Sequence, residues 1–156
     1  MELFQQFHRT NQNQPTVEVK MTVKNNKRTE SVLQVSELEK GIVKLTIMGG
    51  NETREPCKLV DLDIKNSSLF LEEGLKLIHK GERKLIIDMA YVDFVDSEGV
   101  WSVFELARKA KEKEVKIVLV NVTENVKRVF DMTKLSTKVK ISGTEIEAIN
   151  FLTKEL

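Results

Sequence analysis

The chain has 156 residues, 40% of them hydrophobic and 31% charged, with a formal net charge of +1. That balance suits one folded domain with a real core. It excludes a disordered chain, and it gives no bulk charge with which to hold nucleic acid or a membrane surface. No apolar stretch reaches the ~20 residues needed to span a bilayer, so membrane insertion is not expected.

The start, "MELFQQFHRTNQNQ", lacks the basic flank and long apolar run of a signal peptide. In "TVEVKMTVK", residues 16–24, Val17, Val19, Met21 and Val23 alternate with polar residues and predict an amphipathic strand. "TESVLQVSEL" and "GIVKLTIM" predict two more strands, joined through Glu39-Lys40-Gly41, so an antiparallel meander is expected in the first third. Residues 49–66 hold Gly49-Gly50 and Pro56 and predict a loop with a short strand at "KLVDLDI".

The pattern then changes. Leu71, Leu75 and Ile78 recur at helical spacing after Ser67-Ser68, and Gly81 is a stop signal. "KLIIDM" is a short buried strand. The segment "AYVDFVDSEGVWS" follows as a strand-to-helix turn, opening a helix with Val100, Val103, Ala107 and Ala110 on one face as far as about Lys113. "VKIVLVNV" is a second buried strand. Val126, Val129, Phe130 and Leu135 mark another helix, "KVKIS" a strand, and Thr144-Glu145-Ile146-Glu147 a capping box opening a last helix through Leu152. Alternating strand and helix argues for parallel strands with right-handed crossovers. The fold class expected is α/β: a mixed β-sheet with α-helices packed mainly on one side, preceded by an antiparallel strand-rich extension.

Little in the chain looks catalytic. Val95-Asp96-Ser97-Glu98-Gly99 lacks the first glycine of a nucleophile elbow, and the two histidines, His8 and His79, lie in unsuggestive contexts. The single cysteine, Cys57, can form neither an internal disulfide nor a zinc cluster, which points to a reducing cytoplasm and a structural thiol. No glycine-rich phosphate loop is present. Asp88, Asp93 and Asp96 gather near one strand end, where open α/β sheets bind ligands. They keep open a small Mg²⁺- or nucleotide-dependent enzyme. Against that, Asp96 suits a helix cap, with Asp93 solvated and Ser97 an exposed first helical residue.

"KLIIDMAYVDFVDSEGV" and "VKIVLVNVTENVKRVFDMTKL" resemble the STAS domain, the module shared by bacterial anti-sigma factor antagonists and sulfate transporters. That family's pattern is a buried strand ending in aspartate, a short acidic loop, D-S-[ST]-G at a helix start, a second buried strand, then N-x-x-V-x-x-x-[FL]. Here Asp88, Asp96-Ser97, Gly99, Asn125, Val129 and Phe130 supply a good approximation to it. The resemblance covers residues 38–156 and leaves 1–37 as an extension. It implies a non-enzymatic, cofactor-free cytoplasmic binding module of the anti-sigma factor antagonist type. It also implies Ser97 as the phosphorylation site, an anti-sigma factor serine kinase as the partner of the unphosphorylated form, and a phosphatase that resets it. Asp93, Glu98 and Trp101 are the expected partner-binding residues around that switch, with Trp101 four residues after Ser97 on the same helical face and at least partly exposed.

The chain departs from the pattern at Glu98 (usually Ser or Thr), at Trp101 (usually small), and in the longer segment 51–65 before the first helix. Those departures keep open a second role, as an unmodified STAS subunit of a lipid-transport or stress-sensing assembly. The strand at 16–24 also offers an edge for a homodimer.

Overall fold

The computed structural model describes residues 2–7, 19–24, 31–49 and 59–154, with side chains described from 33 onward in these segments. His8, Cys57, Pro56 and residues 16–18 lie outside them. Two strands, β1 (Glu2–Phe7) and β2 (Val19–Lys24), pair antiparallel with Phe7 opposite Val19. β1 is an addition to the sequence reading: "ELFQQF" has neither strict alternation nor flanking turn residues to announce it.

The main sheet has the order β3-β4-β6-β8-β9. Its strands are β3 (Ser31–Glu37), β4 (Ile42–Gly49), β6 (Lys84–Asp88), β8 (Lys116–Val120) and β9 (Lys140–Ser142). β3 runs antiparallel to β4, and the other neighbours are parallel. The turn from β3 to β4 is the predicted Glu39-Lys40-Gly41, where Lys40 and Gly41 take φ of 59° and 70°. The short strand in 58–64 is β5 (Val60–Leu62), and it does not join the main sheet. It pairs in parallel with β7 (Val92–Val95).

The described residues also form four α-helices: α1 (Ser67–Lys80), α2 (Ser97–Glu112), α3 (Glu124–Met132) and α4 (Glu145–Thr153). Gly81, at φ 104°, closes α1. Its amide donates to Ile78 O and the Glu82 amide donates to Leu77 O, the paired bonds of a left-handed glycine stop. Leu135 lies beyond α3 in a short 3₁₀ turn, because Lys134 already takes φ 63° and breaks the helix.

The central strands are apolar on both faces because both faces are covered. Leu85 and Ile87 of β6 and Leu119 of β8 meet Leu69, Phe70, Val103, Leu106, Val126 and Phe130 from α1, α2 and α3. Ile86, Val118 and Val120 point the other way, to Ala148 and Leu152 of α4. Three helices on one face and one on the other match the expected architecture. Each fully buried Leu, Ile or Phe contributes about 1.5–3 kcal/mol of transfer free energy, so the larger face dominates stability.

The segment "AYVDFVDSEGVWS" is not a plain strand-to-helix turn: β7 lies inside it. Val92 and Val95 are buried while Asp93 and Phe94 between them are exposed, a pattern without the period of two that marks a half-buried strand.

Candidate functional site

β7 delivers the chain to α2 and is braced on two sides. The Val60 amide donates to Tyr91 O at 2.8 Å, and the Asp96 amide donates to Leu62 O at 3.3 Å, so β5 holds both ends of β7. On the other side, the Thr123 hydroxyl, at the cap of α3, donates to Val92 O at 3.2 Å and accepts from the Val126 amide.

Asp96 is the N-cap of α2, as the sequence predicts. Its Oδ1 accepts from the Gly99 amide at 2.8 Å. Its Oδ2 has a second task that no local pattern announces: it accepts from the Ile64 amide at 3.0 Å, 32 residues earlier. One carboxylate therefore fixes both the first turn of α2 and the turn after β5. That turn is itself set by Asn66, whose Oδ1 accepts from the Asp63 amide and whose Nδ2 donates to Asp61 O.

Gly99 completes the brace. A Cβ built on it would fall 2.1 Å from Leu62 O, far inside van der Waals contact. The glycine lets the strand β5 backbone pass against the first turn of α2. The constraint comes from a neighbouring strand, not from crowding within the helix. Ser102, fully buried one turn on, donates its hydroxyl to Gly99 O at 2.7 Å.

On this scaffold Ser97 is the first residue of α2, and it is exposed. Asp93 and Glu98 are exposed beside it, and Trp101 one turn later is 53% exposed. Phe94 (52%) and Ile64 (70%) add two apolar side chains the sequence did not single out. Phe94 stood in plain view between two acids, but an aromatic in an acidic segment is read as core or surface only once its strand is known. The structure thus gathers Asp93, Asp96, Ser97, Glu98 and Trp101 at one end of α2, with Asp61 and Asp63 added from the β5 side.

Asp88 is elsewhere. It ends β6, is buried, and accepts from the Ala90 amide at 3.0 Å and from Asn121 Nδ2 at 3.2 Å. The whole of β7 separates it from Asp96, and Asp93 projects to solvent between them. Among the described residues no group of His, Cys, Asp or Glu is arranged to hold a metal ion. The expected Asp88/Asp93/Asp96 cluster is therefore corrected: the acids are close in sequence, but an unforeseen strand lies between Asp88 and Asp96. Asn125 is exposed in the first turn of α3, with Val129 half-buried and Phe130 fully buried behind it. No helix among the described residues is long and apolar enough to cross a membrane.

A family model described as the STAS domain matches residues 60–148. Among solved structures, a candidate anti-sigma factor antagonist from Thermotoga maritima is 24% identical, with a TM-score of 0.65 over 78% of this chain and 95% of that one. SpoIIAA of Bacillus, described as an anti-sigma factor antagonist and a cell fate determinant, is similar in two forms. The unphosphorylated form is 18% identical, with a TM-score of 0.57 over 79% of this chain and 99% of that one. The phosphorylated form is 20% identical, with a TM-score of 0.55 over 76% and 97%. The murine anion transporter Slc26a9 is 18% identical, with a TM-score of 0.59; the match takes in 97% of this chain but 22% of the transporter. These likenesses establish a shared fold.

Proposed function

The chain belongs to the STAS domain family, and from that premise we propose that it is a cytoplasmic binding module of the anti-sigma factor antagonist type, switched by phosphorylation of Ser97. The observation that carries this reading is the exposed Ser97 hydroxyl at the head of a helix braced by Asp96, Gly99 and β5, beside the exposed side chains of Phe94 and Trp101. The partner is an anti-sigma factor serine kinase, with a phosphatase to reset it, and the module itself carries no catalytic group. Asp93, Glu98 and Trp101 line the docking face. In the same proposal residues 1–37 are an extension and 38–156 the domain. β3 pairs with β4 across that seam, so removing only residues 1–30 is the truncation that spares the sheet.

The physics of the switch is local. Phosphate adds about −1.5 to −2 charges. The amides at the start of α2 welcome it by ~0.3–1 kcal/mol. Asp93, Asp96 and Glu98 oppose it, and unit charges ~5 Å apart repel by roughly 3 kcal/mol at an effective dielectric near 20, less under salt screening. Repulsion wins unless a partner supplies Arg or Lys. The phosphate therefore does little to stabilise the fold and acts mainly by spoiling a docked interface. The test is co-purification from the source cells with tagged wild type, Ser97→Ala and Ser97→Glu proteins. The kinase partner should be retained by wild type and Ser97→Ala and lost by Ser97→Glu. Equal retention by all three would instead favour an unmodified STAS subunit of a larger assembly.

A further inference from the structure

The far end of α2 is chemically opposite to the end that carries Ser97. There the end of α2 and the starts of β8 and β9 enclose an open groove of about 390 Å³. Its floor is apolar, formed by Ala107, Ala110, Val115, Ile117 and Val139. Four lysines also line it, Lys111 and Lys138 beside that floor and Lys116 and Lys140 at the strand starts, leaning to the α4 face, with Glu114 the one acid among the described lining residues. A helix C-terminus favours cations, but that explains only Lys111, since the other three lysines come from different elements.

None of these four lysines forms an ion pair with a described residue. Lys140 instead lies 5.3 Å from the centroid of the Phe151 ring. The contrast with the preceding turn of α2 is sharp, because there Arg108 and Lys109 are neutralised by Glu105 and Glu112. The Arg108 hydrogen bond holds the Glu105 carboxyl below its ordinary value. Within the sheet, Lys116 stands directly opposite Lys84 of β6. Like charges so placed destabilise a sheet, and an anionic occupant would relieve them.

We propose that this groove docks the acidic β7–α2 end of a second copy of the chain, head to tail. The occupant is argued from complementarity. Asp61, Asp63, Asp93, Asp96 and Glu98 gather there with Lys65, so the described residues are bipolar although the net charge of the chain is only +1. The two ends lie the length of a 16-residue helix apart, about 24 Å, well beyond the Debye length of ~8 Å. They therefore act on neighbours rather than on each other. The acidic end also exposes Ile64, Phe94 and Trp101, which match an apolar floor. The contact joins unlike surfaces, so copies add head to tail, into a ring or an open chain according to the rotation between them. It covers Ser97 and competes with any partner docking at that residue, but it does not depend on such a partner.

The test is sedimentation velocity of the full chain over a concentration series, in low salt and in about 0.5 M salt, where the Debye length falls to a few ångströms. Concentration-dependent assembly is expected in low salt and should weaken at least ~10-fold in high salt. The double variants Lys116→Glu/Lys140→Glu and Asp61→Lys/Asp93→Lys, checked for folding by thermal melts, should each stay monomeric. Mixed together they should assemble again, alternating, because one native pair of ends remains and the two charge-reversed ends complement each other. A wild type that stays monomeric in low salt would overturn the proposal. So would either double variant that alone assembles like wild type, which would point to the edge of β2 (Val19–Lys24), or a mixture that fails to pair.

Discussion

α2 and α4 begin alike and are held differently. Each follows a strand, and each has a capped first turn with a hydroxyl-bearing residue in it. At α4 the devices are local: the Thr144 hydroxyl accepts from the Glu147 amide at 3.2 Å, and the Glu147 carboxylate reaches back to the Gly143 amide at 3.1 Å. At α2 the cap reaches out of its own segment, to the Ile64 amide, and the Leu62 carbonyl lies where the side chain of residue 99 would be. The threonine of α4 is used up in capping. The serine of α2 is not, because Asp96 does that work and leaves Ser97 on the surface. A hydroxyl becomes available to a modifying enzyme when a neighbour takes over its structural task.

That contrast breaks most readily at Gly99. Gly99→Ala should cost about 2–4 kcal/mol, since the added methyl meets backbone rather than a side chain that can turn away. The corresponding change in α4, Glu147→Ala, should cost only a few tenths, about 0.3–1 kcal/mol. Thermal unfolding of the pair checks this, at roughly 2–4 °C per kcal/mol for a chain of this size. Asp96→Ala comes next. It frees two amides and should cost about 2 kcal/mol, against about 1 kcal/mol for Thr144→Ala, which frees one. If the two cost the same, the bond to Ile64 contributes nothing. Trp101→Ala should change stability by less than ~1 kcal/mol, given its exposure, while weakening capture of the kinase partner several-fold; unchanged capture would remove Trp101 from the docking face. The smallest effect is a gain: Lys116→Gln relieves the facing Lys84 and should stabilise the sheet by ~0.2–0.5 kcal/mol, fading as salt is raised.

Much of this was legible in the chain. The strands around "KLIIDM" and "VKIVLVNV" announced themselves as apolar runs, because a parallel strand covered on both faces needs no alternation. The α4 capping box was legible because its partners lie within a few residues of one another. The β7 strand was hidden because its two buried valines flank two exposed residues, a pattern that follows from pairing with a strand some 30 residues earlier. The same distance hid the second bond of Asp96 and the true reason for Gly99. It also made Asp88, Asp93 and Asp96 look like one cluster when a strand divides them. Local chemistry could be read; what depended on β5 could not.

The central claim is that Ser97 is held out for modification. Mass spectrometry of the protein isolated from its own cells, growing and stressed, tests it most directly. The account predicts phosphate on Ser97 in at least one of those states, with Thr144 unmodified. Phosphate on Thr144 instead, or a Ser97 free of phosphate in every state, would contradict it.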